Sequence, residues 1–114
     1  MTRCESMKVA KLPSGFRARN RTARSFRVLY KKLPKQSQEL IRLTGPAFDA
    51  NPLAKSFRHH ELSANRRGKH KSDSFSVSIS MDLRAIYAMS SDKETRIWYW
   101  VGTHSQYNIF TGIK

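Results

Sequence analysis

The chain has 114 residues, with 22 Lys and Arg against 8 Asp and Glu, and a formal net charge of +14 at neutral pH. That length suits one compact domain with a single core. The charge argues against an ordinary neutral enzyme surface and points to polyanionic partners, namely nucleic acid, a ribosome or an acidic protein. Plain basicity of the ribosomal-protein kind is the alternative. Cys4 is the one cysteine, so no intramolecular disulfide can form, and a reducing cytoplasm is the expected compartment. No apolar run approaches the ~20 residues a membrane-spanning helix needs. Met1 to Gly15 lacks the apolar stretch of a signal peptide.

In chain order, residues 1–20 are basic and carry no apolar pattern. They are expected to form a flexible arm or a short edge strand near Arg19–Ala23, ahead of one domain over 21–114. Phe26, Leu29, Tyr30 and Leu33 then recur at i, i+3, i+4 and i+7, one face of a helix. Leu33-Pro34 breaks it, and Pro34 suits the start of a second helix. Leu40, Leu43 and Ala47 are expected on the inner face of that helix, with Gly45-Pro46 ending or kinking it. Asn51-Pro52 marks a turn, followed by a short apolar stretch from Leu53 to Phe57.

The rest reads as strands. Phe75, Val77 and Ile79 alternate with serines, the pattern of a half-buried strand. Leu83–Met89 is a second strand, and Ile97–Val101, aromatic and β-branched, is a third and central one. Short connections predict an antiparallel meander. The expected fold class is α+β, an N-terminal helical hairpin packed on a small antiparallel sheet whose other face is left for a ligand.

Several polar residues stand where chemistry is possible. Arg84 interrupts an apolar strand, so it is either a bidentate phosphate clamp or half of an ion pair with Asp82, Asp73 or Glu61. His104 follows Gly102-Thr103 at a strand end, where an imidazole can exchange protons near neutral pH. Tyr107 is placed to stack on a base or simply to pack. His59-His60-Glu61 lacks the ligand spacing of a metal site, and no glycine-rich phosphate loop is present. The chemistry that suits this set is RNA transesterification, with His60, His104 and Asp82 available for proton transfer and Arg84 for charge. Arg58, Arg66, Arg67, Lys69 and Lys71 are the candidate RNA-binding cations, expected with Arg84 along one cleft.

The segment from Arg24-Ser25-Phe26 to Leu33-Pro34 resembles the first helices of the RelE/ParE superfamily of toxins. Asn51-Pro52, Ser56-Phe57-Arg58 and His60-Glu61-Leu62 resemble its link into the sheet. Leu83-Arg84-Ala85-Ile86-Tyr87 resembles the strand that carries the family arginine. The sharpest likeness is Trp98-Tyr99-Trp100-Val101-Gly102-Thr103-His104 with Tyr107 beyond it. The resemblance covers residues 22–110. It implies a type II toxin neutralised by a cognate antitoxin, monomeric when free and hetero-oligomeric with that partner. In the mRNA-interferase branch it implies cleavage of messenger RNA on the ribosome, with no metal and no cofactor. Arg84 then matches the phosphate-contacting arginine, and His104 and His60 match acid–base histidines. Asp82 matches an acidic residue ahead of the strand, and Tyr107 the C-terminal aromatic. Ser78 departs from the pattern, since relatives often place a basic residue or histidine there. A gyrase-directed toxin of the same fold and a non-toxic nucleic-acid-binding protein are the alternatives.

Overall fold

A computed structural model describes residues 19–62, 68–71 and 73–112. Of the arm expected over residues 1–20, the first 18 residues lie outside them, as do Arg66 and Arg67. The chain runs β1 (Arg19–Thr22), α1 (Arg24–Lys31), α2 (Lys35–Ala50), a 3-10 turn (Lys55–Phe57), β2 (His60–Glu61), β3 (Ser74–Ser78), β4 (Leu83–Met89), β5 (Thr95–Thr103) and α3 (His104–Thr111).

Helix α1 forms on the predicted stripe. Phe26 is buried against Ala85 and Val101, with Leu29, Tyr30 and Leu33 around it. Its last carbonyls are satisfied from the next helix: Gln38 Nε2 donates to Tyr30 O at 3.0 Å and to Leu33 O at 3.1 Å. That is the accounting every helix end requires.

Helix α2 excludes one alternative and corrects one expectation. It continues through Gly45-Pro46 to Ala50, although Pro46 has no N–H to offer the preceding turn. Its far end is anchored instead by Phe48, 1% exposed, and by Asp49. The inner face is Ile41, Thr44 and Phe48, spaced i, i+3 and i+7, while Leu40 and Leu43 are 45% and 56% exposed. Both stripes have helical spacing, and the larger Phe48 decides which one turns inward.

The sheet order is β1-β5-β4-β3-β2. Strands β2 to β5 form antiparallel neighbours, as the short connections predict, but β1 lies parallel to β5. The sheet is therefore mixed rather than antiparallel. The α1–α2 connection leaves β1 far from its partner in sequence, so no tight hairpin dictates its direction.

Alternation assigns the two faces. Val77, Ala85, Tyr87, Trp98 and Val101 face Phe26 and Phe48. Ser76, Ser78, Arg84, Ile86 and Trp100 take the other face. A register shift beside Ile86/Tyr87 leaves Tyr99 as an extra residue, so Tyr99 and Trp100 both join Ile86 on that second face. Helix α3, absent from the sequence reading, packs there through Tyr107 and Phe110. The Trp100 and Phe110 rings stack at 5.0 Å between centroids. The second face is thus covered over part of its area, and the serines of β3, expected on solvent, are buried.

Candidate functional site

The β3–β4 turn and the start of α3 meet at one end of the second face. The backbone N–H of His104 donates to Asp82 O at 2.7 Å, tying the helix to the turn. Thr103 caps α3: its hydroxyl accepts from Gln106 N at 3.2 Å, and its own N–H donates to Gln106 Oε1 at 2.8 Å. This capping box holds the helix start independently of the histidine ring. The His104 side chain is exposed, with its ring nearly parallel to that of Tyr107 at 6.5 Å.

Arg84 lies inside the same turn. Its Nη1 donates to Ser80 O at 2.7 Å, Leu83 O at 3.0 Å and Met81 O at 3.3 Å. The guanidinium is buried, and no described carboxylate pairs with it. It therefore braces the turn carbonyls, of which Leu83 O also accepts from Ile79 N at 2.9 Å. Asp82 is exposed beside it. Tyr107 is buried in the core cluster with Ile86 and Trp100, so its ring packs rather than standing free.

His60 is on the short β2, opposite Ser76, and shares the face of Arg84 by register. Two strand spacings, about 10 Å, separate their strands. Its Nδ1 lies 2.6 Å from Arg58 O. The structure thus gathers His104, Asp82, Arg84 and Tyr107 around one turn and sets His60 across the face from them. Among the described cations, Arg58 adjoins His60, while Lys69 and Lys71 flank α3 and Tyr99: Lys69 N donates to Phe110 O at 2.7 Å, and Lys71 N to Tyr99 Oη at 2.9 Å.

A second polar cluster sits on the opposite face and has no counterpart in the sequence reading. Arg96 is buried, donates to Asp49 Oδ1 at 3.0 Å, and lies 4.8 Å from the Phe48 ring and 5.5 Å from that of Tyr87. Asn20 donates to the same carboxylate and accepts from Trp98 Nε1. His59 Nε2 is 2.6 Å from Tyr87 Oη. The one sequence signal was Arg96 at an inward position of an alternating strand; nothing pointed to Asp49.

Burial, and after it the charge of Arg96, lower the His59 pKa from 6.5 to about 4. The fold thus favours neutral imidazole, whereas the unfolded chain takes up a proton near 6.5. The stability this contributes is present above that value and is lost as pH falls toward 4. The unfolding free energy from urea titration should drop between pH 7.5 and 5.5, by on the order of 0.5–1 kcal/mol after allowing for solvent at the ring. His59→Gln should flatten that change; an equal drop in the variant would assign it to other groups.

No family model matches the chain, and no curated protein matches it. Solved structures do. It resembles the toxin–antitoxin complex RelBE2 of Mycobacterium tuberculosis, with 16% identity over 76% of this chain and 98% of that one, and a TM-score of 0.59. For YafQ of Escherichia coli the figures are 14%, 79%, 97% and 0.58. For a metal-bound toxin of Helicobacter pylori they are 22%, 78%, 97% and 0.57. Among the described residues no group of three or more His, Cys, Asp or Glu is placed to hold a metal ion, and no helix is long and apolar enough to cross a membrane. The five-stranded sheet with its helices on both faces is the fold of the RelE/YafQ-type toxins.

Proposed function

We propose that this protein is the toxin of a type II toxin–antitoxin system, and that it cleaves messenger RNA in the cytoplasm on the ribosome. The observation that carries the proposal is His104: an exposed imidazole held at the head of a capped helix, against the turn that contains Asp82 and that the Arg84 side chain braces from β4. The ribose 2′-OH attacks the adjacent phosphorus and loses its proton to a base. The bond to the 5′-oxygen breaks, and an acid protonates that oxygen, leaving a 2′,3′-cyclic phosphate and a 5′-OH. His104 serves one of these transfers, and His60 or Asp82 the other. Arg84, braced by three carbonyls, supplies positive charge next to the reacting group. Tyr107 sets the His104 ring from its packed position. The helices α1 and α2 act as the hairpin behind the sheet, and the net charge of +14 draws the protein to ribosomal RNA and to an acidic antitoxin.

Burial of Arg84 and Tyr107 favours a second reading, a gyrase-directed toxin that breaks no bond. Induced expression separates the two. A nuclease should arrest growth with message 5′ ends bearing hydroxyl groups, and the product of an adjacent antitoxin gene should relieve the arrest. Arrest with intact messages and broken chromosomal DNA would favour the gyrase reading.

A further inference from the structure

The second sheet face continues beyond α3 into an open groove. A cavity of about 500 Å³ is lined by Ser25, Lys71, Asp73, Ala88, Ile97 and Tyr99 among others. A neighbouring one of about 670 Å³ is lined by Arg21, Thr95 and Asp92, and shares Ser90 and Ile97 with the first. The shared residues make the two cavities one groove. Arg21 pairs with Ile97 in the β1–β5 register, so both side chains take the same face.

We infer that this groove is a second RNA subsite, in which Arg21 and Lys71 bind phosphates on either side of a base seated on Ile97. It rests on the proposed function and adds a place where nucleotides outside the scissile step are held. The groove floor at Ala88/Ile97 is five residues of β4 from the Leu83/Thr103 pair beneath His104, about 16 Å along the strand. It is therefore distinct from the cleavage centre.

The groove is built to hold a shape. Tyr99 Oη accepts from Lys71 N at 2.9 Å and lies 2.5 Å from Ser74 Oγ, which fixes the wall. Lys71 Nζ lies 5.5 Å from the Tyr99 ring centroid. Arg19 is engaged by Glu94 at 3.4 Å, whereas no described carboxylate pairs with Arg21 or Lys71. Two carboxylates, Asp73 and Asp92, stand in the same lining. They weaken the attraction for any polyanion, but a nucleotide, unlike an acidic side chain, also offers Asp73 a donor, the exocyclic amine of cytosine; Asp92 already accepts from Ser90 Oγ and from Glu94 N. The occupant that fits cations, hydroxyls, carboxylates and an apolar floor together is single-stranded RNA.

The test is binding of eight-residue oligo(C) and oligo(U) RNA to the full chain, followed by fluorescence anisotropy at several salt concentrations. Arg21→Ala and Lys71→Ala should each weaken oligo(C) binding about tenfold at low salt and reduce the salt slope by about one. Lys35→Ala, which removes the same charge from exposed α2, should change it less than about twofold. Asp73→Asn, whose amide accepts from cytosine but also donates to uracil, should weaken a preference for oligo(C) over oligo(U). Equal losses in all three cation variants, or no binding by the wild type, would overturn the groove. So would weakened binding of polyglutamate with RNA binding unchanged, which would identify an acidic-protein surface. Ribosome assays keep the two ideas apart. If Arg21→Ala and Lys71→Ala bind RNA as the wild type does while it cleaves message, the groove alone fails. If they lose RNA binding and the wild type cleaves nothing, the nuclease reading alone fails.

Discussion

His104→Ala is expected to lower ribosome-dependent cleavage of message by about 10²–10⁴-fold, the usual worth of a positioned acid or base, and to leave the fold intact. The structure separates the two effects. The histidine ring is exposed, and the bond that ties this position to the Asp82 turn is made by the backbone N–H. The helix cap belongs to Thr103 and Gln106. Alanine keeps all of these. Melting curves should therefore superimpose while cleavage falls. Tyr107 calls for a different substitution, because its ring is 6% exposed within the core cluster. Tyr107→Phe keeps the packing and reads the hydroxyl alone. Full cleavage by folded His104→Ala would remove this residue from the mechanism.

Phe48→Ala should cost about 3–5 kcal/mol in urea unfolding, the range for deleting a buried aromatic ring. Phe48 is 1% exposed and meets Phe57, His59 and Trp98 edge-on at 5.0–5.9 Å between centroids. Arg96 lies over its face. The cavity left behind would adjoin one of about 300 Å³ already present under α2, lined by Ile41, Val77 and Ala85 among others, so collapse around it should be poor. Leu43→Ala, on the exposed stripe, should change stability by no more than about 0.5 kcal/mol. If Leu43→Ala costs as much as Phe48→Ala, the helix presents its other stripe to the sheet.

The same helix shows how far the sequence could be read. Two stripes, Leu40–Leu43–Ala47 and Ile41–Thr44–Phe48, both carry helical spacing, and periodicity alone cannot rank them. The β3–β4–β5 meander was legible because alternation and short turns constrain each other; Leu83–Met89 has the predicted bounds. The parallel pairing of β1 was not, because it depends on contacts between Arg19–Thr22 and a strand more than 70 residues later. Helix α3 was hidden in an octapeptide of mixed polarity, yet Thr103 and Gln106 held the capping-box spacing that announces it. At the site, His104, Asp82 and Arg84 could be placed near one turn from the strand ends. That Arg84 turns inward onto carbonyls, and that His59 rather than His60 enters the aromatic cluster, followed only from the packing.

The most direct test of the central claim is cleavage of a defined message by purified wild-type protein, with and without translating ribosomes, and with Mg²⁺ as the sole divalent ion. Cuts are expected within the ribosome-bound codon, leaving 2′,3′-cyclic phosphate and 5′-hydroxyl ends, with the same RNA left largely uncut when no ribosome is present. Intact message on the ribosome, at protein concentrations that arrest gyrase, would contradict that claim.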